Sequence, residues 1–174
     1  MKTRQTRAII WTDYPTPAEA ADLAAHDAEP DSDRRAEIAG RIAPATQTRI
    51  TLGTMSALQY ARYQAALSDV RAWADEDTAT ADLIWLYGLT WAHFRGALVR
   101  MDERTASRTD DSAGAWQEID PPAEWATLAG FLGDLPTDLI EQIGVVALEL
   151  NPSLRASRPA TTDEAKKNGG ATVE

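Results

Sequence analysis

The chain has 174 residues, a formal net charge of −10, an apolar fraction of 44% and no cysteine. That length and composition fit one globular domain with a real core, and the missing cysteines exclude disulfides, thiolate metal sites and a cysteine nucleophile. A binder of nucleic acid draws its affinity from neutralised phosphates, so an acidic chain with no more than two adjacent cations argues against nucleic acid and against anionic membranes.

The opening MKTRQTRAIIWTDYP carries too short an apolar run for a secretory signal. Residues 6 to 12 read as a short strand, β-branched and aromatic, ended by Asp13-Tyr14-Pro15. Thr16-Pro17 reads as an N-cap with proline at the first helical position, opening an Ala-rich helix that runs as far as Pro30. Between Glu19 and Glu37 seven acids face Arg34 and Arg35, which predicts a solvated face and an exposed acidic loop. Alternating acids after His26 invite a calcium loop. Counted from Asp27, however, Ser32 and Ile38 stand where an EF-hand needs glycine and glutamate.

Residues 48 to 53, TRITLG, alternate as a half-buried strand does. Ser56 and Gln59 then have capping-box spacing, and Tyr60, Tyr63, Leu67, Val70 and Ala74 form one helical stripe behind them. Residues 79 to 99 predict a helix apolar on most sides, the centre of a bundle or a surface covered by a partner. Its longest uncharged run, LIWLYGLTWAHF at 83 to 94, is too short to span a bilayer. LVRM and AWQEI, flanking a polar segment at 103 to 114, predict a hairpin with a long loop. Asp120-Pro121 predicts a helix carrying Trp125, Leu128 and Leu132, broken at Gly133-Asp134. From Pro136 the pattern Leu139, Ile143, Val146, Leu150 predicts a last amphipathic helix, stopped by Asn151-Pro152. Residues 155 to 174 are too polar to fold alone and predict a disordered tail.

The expected fold is therefore mainly α: a compact helical domain over residues 1 to 154 with a small β element. Within it, residues 1 to 47 hold a strand, the Ala-rich helix and the acidic loop, and residues 48 to 154 hold the core.

Signs of catalysis are sparse. No phosphate-cradling glycine loop, dinucleotide fingerprint or nucleophile elbow is present. Asp102-Glu103 and Asp110-Asp111 are adjacent acids in a predicted loop region, not carboxylates held apart in a cleft. An enzyme would need a pocket around His93 with Asp82 or Glu118 in reach. The expectation is a chain that is not an enzyme and needs no cofactor or metal.

Three stretches carry a resemblance. RITLGTMSALQYARYQAAL at 49 to 67 is a strand-to-helix junction, FLGDLPTDLIEQIGVVALELN at 131 to 151 is an L-P-x-x-L helix ending in L-N, and TTDEAKKN at 161 to 168 is a polar ending. Together, over roughly residues 48 to 170, they resemble the tail assembly chaperones of long-tailed bacteriophages. The resemblance implies a non-enzymatic protein of the host cytoplasm, absent from the mature virion. Such a protein coats the long helical tape-measure protein, recruits tail-tube protein, and in a frameshifted longer form carries an added segment. It implies partner-binding residues among Tyr60, Tyr63, Leu67, Trp85, Trp91, Leu139, Ile143 and Val146, a set that mixes core and groove positions. Homo-oligomerisation stays open. The alternative is a structural virion accessory subunit, a head or tail connector or decoration protein.

Overall fold

A computed structural model describes residues 4–156. In chain order they form β1 (Thr6–Thr12), α1 (Pro17–Ala28), α2 (Ser32–Ala39), β2 (Ala45–Gly53), α3 (Ala57–Glu76), α4 (Ala81–Ala97), β3 (Leu98–Ala106), β4 (Gln117–Ile119), a 3₁₀ turn (Ala123–Ala126), α5 (Leu128–Asp134), α6 (Thr137–Leu150) and a closing 3₁₀ turn (Pro152–Ala156). The strands make one antiparallel sheet in the order β1-β2-β3-β4.

This corrects the expectation of a mainly α domain with a small β element: among the described residues the fold is mixed, with six helices and a four-stranded sheet. Two physical features hid the sheet. β2 and β3 turn Gln47, Arg49 and Thr51, and Arg100, Asp102 and Arg104, to one face, so half of each strand is polar. The Ala-rich α1 contributes no buried residue, so its helical residues add little to the core.

The sheet's other face carries the core. Ile9 pairs with Ile50, Ile50 with Met101, and Met101 with Ile119, an apolar row across all four strands. Helix α6 lies against β1 and β2, and α4 packs between α6 and α3. The capping box at Ser56 and Gln59 forms as expected. On α3 the buried stripe is Tyr63, Leu67, Val70 and Ala74, while Tyr60 stays 46% exposed. Gln59 is the residue buried beside that stripe instead, because its side chain accepts from Arg4 Nη2 at 2.8 Å and donates to the Leu98 carbonyl at 3.1 Å. Close helix contact depends on Gly88 of α4, where a Cβ would stand 2.6 Å from Val70 Cγ1.

Several local expectations shift. The acidic segment after Pro30 is not a plain loop: Asp31 caps α2, accepting from the amides of Asp33 and Arg34 at 3.0 Å. The helix expected from Asp120 is split, because Thr127 starts α5 as its own N-cap after the 3₁₀ turn. The hairpin forms between β3 and β4. Asn151 does more than stop α6. Its Oδ1 accepts from the Met55 amide at 2.8 Å, and its Nδ2 donates to the Gly53 carbonyl at 3.3 Å, tying the end of α6 to the β2–α3 junction. The polar tail lies outside the described residues except for its first two positions. Among the described residues no helix is long and apolar enough to cross a membrane.

Candidate functional site

Helix α6 has a buried apolar stripe and, beside it, a mixed face that carries Val145 and Leu148. Leu139, Ile143, Ala147 and Leu150 point into the core and are buried. Glu141, Val145, Leu148 and Glu149 lie on a second face that meets α4 along a groove. Leu86, Tyr87, Leu89, Thr90 and His93 of α4 form the opposite wall. The helices approach closely at the floor, where a Cβ on Gly144 would come within 2.9 Å of Thr90 Oγ1. The groove encloses about 650 Å³, and Leu86 and Val145 on its walls are 60% and 58% exposed. Apolar side chains this open, aligned along two helices and rimmed by Glu141 and Glu149, are the pattern of a surface that takes an amphipathic helix.

His93 belongs to this groove but has no acid–base partner there. Its ring stacks parallel on Tyr63, centroids 5.3 Å apart, and its Nε2 is buried with no hydrogen-bond partner among the described residues. Burial pushes its pKa down from 6.5 to about 4, so the imidazole is neutral at physiological pH. Neither Asp82 nor Glu118 lines the groove, and Glu118 pairs with Arg100 at 3.4 Å. The pocket that an enzyme reading required around His93 is not assembled from those residues. Among the described residues no three His, Cys, Asp or Glu side chains come together as a metal site.

None of the eight expected partner-binding residues lines this groove. Tyr63, Leu67, Trp91, Leu139 and Ile143 are core. Trp91 also donates from Nε1 to the Trp125 carbonyl at 3.0 Å, which fixes it in place. Tyr60 is exposed on α3, Trp85 is half-buried against the core, and Val146 lines a separate shallow groove between α6 and β1. The groove residues were missed because the strongest periodic stripe on a helix marks its core face. The usable signal was the second stripe beside it: Glu141, Val145 and Leu148 repeat at helical spacing.

A second constellation sits on the sheet's outer face. Asp102 is fully buried there, accepting from Arg49 Nε at 3.1 Å and Arg100 Nε at 2.6 Å. The guanidinium groups of Arg49 and Arg104 both lie against the Trp116 ring, at 4.5 and 4.4 Å from its centre. Each arginine also has a polar partner on the sheet, so the cluster covers that face instead of offering free cations. Asp102→Ala should cost about 3 kcal/mol in urea denaturation, because it leaves two like charges without their shared anion. A loss under about 0.5 kcal/mol would mean that solvent already screens the pair.

No protein-family model matches the chain, and no curated protein and no solved structure matches it either.

Proposed function

We propose that this chain is a non-enzymatic binding protein that holds an apolar helical segment in the α4–α6 groove, acting as a tail assembly chaperone for a phage tape-measure protein in the host cytoplasm. The observation that carries the reading is the pair of open apolar side chains, Leu86 on α4 and Val145 on α6, in one groove that Glu141 and Glu149 of α6 also line. A tape-measure protein is long, helical and apolar along one stripe, and needs that stripe covered until the tail assembles. On α6 the lining runs from Ile140 to Glu149, so the groove is roughly 15 Å long and takes about three turns of a partner helix. The acidic exterior keeps the complex dispersed and favours target helices with lysine or arginine beside the apolar stripe. Recruitment of tail-tube protein belongs to the same reading and calls for a surface apart from this groove.

The test combines retention of partners with surface variants. Tagged full-length chain, recovered from infected host cells, should retain a very long helical protein. Leu86→Asp with Val145→Asp should weaken that binding about 100-fold or more, as expected for two central anchors, with the thermal midpoint unchanged. Head or tail subunits retained in fixed ratio, and incorporated into virions, would replace this reading with a structural accessory subunit. Undiminished binding by the folded double variant would remove the groove as the site.

A further inference from the structure

The sheet has two edges, and they differ. β4 is only three residues long, whereas β1 runs for seven. The register shows which backbone groups of β1 are free. Gln5 accepts from the Thr54 amide and the Asp13 amide donates to Thr46, both at 3.0 Å, so the odd-numbered residues make the bonds to β2. Thr6, Ala8, Ile10 and Thr12 therefore turn their N–H and C=O groups away from the sheet. Nothing that usually blunts an edge is present in β1: no proline, no bulge, and one charge, Arg7. Ile10 is 55% exposed, and beside the strand runs the shallow groove lined by Ala8, Ile9, Val145 and Val146.

The side chains of this edge are complementary to themselves. When two copies of β1 meet antiparallel with Ile9 opposite Ile9, the outward-facing residues form the hydrogen-bonded pairs Thr6 with Thr12 and Ala8 with Ile10. A small residue then faces a large one on the outer face. On the inner face Arg7 of one copy falls opposite Trp11 of the other. That position carries an acid: Trp11 packs edge-on against Tyr14, ring centres 6.1 Å apart, and the Tyr14 hydroxyl donates to Asp138 at 2.9 Å. Arg7 is 60% exposed and pairs within its own chain with Glu149 at the far end of α6. Helix α6 thus presents a carboxylate near each end of the strand, one for each copy's arginine. The strand itself carries none of the chain's negative charge.

We infer that a second copy of this chain docks along β1, antiparallel and centred on Ile9, joining two four-stranded sheets into one of eight. Pairing β1 with β1 closes the assembly about a twofold axis and leaves only the short β4 strands as edges, so it stops at a dimer. The α4–α6 groove shares Glu141 and Val145 with the shallow groove beside β1, but the backbone pairing of β1 with β1 does not require the α4–α6 groove to be filled.

The experiment is light scattering of the full chain with amide hydrogen exchange at two concentrations. A mass of twice 18.9 kDa is expected, with the amides of Ala8, Ile10 and Thr12 gaining protection as concentration rises while those of Ile9 and Trp11 do not change. Ile10→Lys should halve the mass and give the thermal midpoint of wild type diluted to its monomer. So should Ala8→Pro, which removes an outward N–H and leaves the ladder to β2 intact. A wild-type chain that stays at 18.9 kDa at its highest attainable concentration overturns the inference. A dimer whose even-numbered β1 amides exchange equally fast at both concentrations also overturns it, and needs no variant to be made.

Discussion

Ile143→Ala is expected to destabilise the fold by about 3–4 kcal/mol, whereas Val145→Asp two positions on should change stability by less than about 0.5 kcal/mol. Ile143 is fully buried where α6 meets the sheet and α4, so truncation removes contacts on every side and opens a cavity. Val145 is 58% exposed, and a carboxylate there stays in water. Chemical denaturation checks the pair directly. The two variants should separate in the opposite sense for binding, with Val145→Asp losing the partner and Ile143→Ala keeping it under conditions where it remains folded. Similar stability losses for both would mean that the second face of α6 is buried in solution and that no open groove exists.

Stability should fall by on the order of 3 kcal/mol as the pH is lowered from about 6.5 to about 4, and His93 is the cause. The unfolded chain protonates this histidine near 6.5, while the folded chain, with the ring buried against Tyr63, resists until about 4. Between those values the unfolded state binds more protons, so lowering the pH favours it; below about 4 both states are protonated and the slope from this group vanishes. Glu141 and Glu149 line the same groove but make no hydrogen bond to the ring among the described residues, so neither supports the imidazolium. Glu19, Asp77 and Asp110 have carboxyls held below the ordinary range by hydrogen bonds from Thr16, Thr80 and Ser112 respectively. Their stabilisation is present above the usual carboxylate range and lost below it, so they act mainly under pH 4.5 and leave the upper window to His93. Denaturation midpoints of wild type and His93→Phe, measured from pH 7 to 4.5, should diverge; parallel curves would show that the ring is hydrated in the folded chain.

The helices that begin with a strong local signal were legible from the residues alone. The Ser56–Gln59 box, the Thr16-Pro17 start and the Asn151-Pro152 stop each act within one helical turn, so their outcome needs no tertiary context. The hairpin and the core stripe of α6 were legible for a related reason, since alternation and helical spacing record which face meets the interior. Other features depended on distant chain. The sheet became substantial only when β1, β2 and β3 aligned, because the polar face of each strand is satisfied by partners far away in sequence, as Asp102 is by Arg49. Asn151 became a clamp only when α6 returned to the β2–α3 junction, 96 residues from Met55.

The candidate site divides in the same way. Sequence by itself determined that the chain is acidic, lacks the motifs of the common catalytic classes, and ends its core on a strongly amphipathic helix. Tertiary structure decided which apolar side chains remain for a partner. Tyr63, Leu67, Trp91, Leu139 and Ile143 are consumed by the core, and Leu86 and Val145 are left open on either side of the α4–α6 groove. Periodicity reports that a face is apolar, but whether that face is covered depends on which neighbours arrive, and for α6 the sheet and α4 together cover one stripe while Val145 on the neighbouring face stays open.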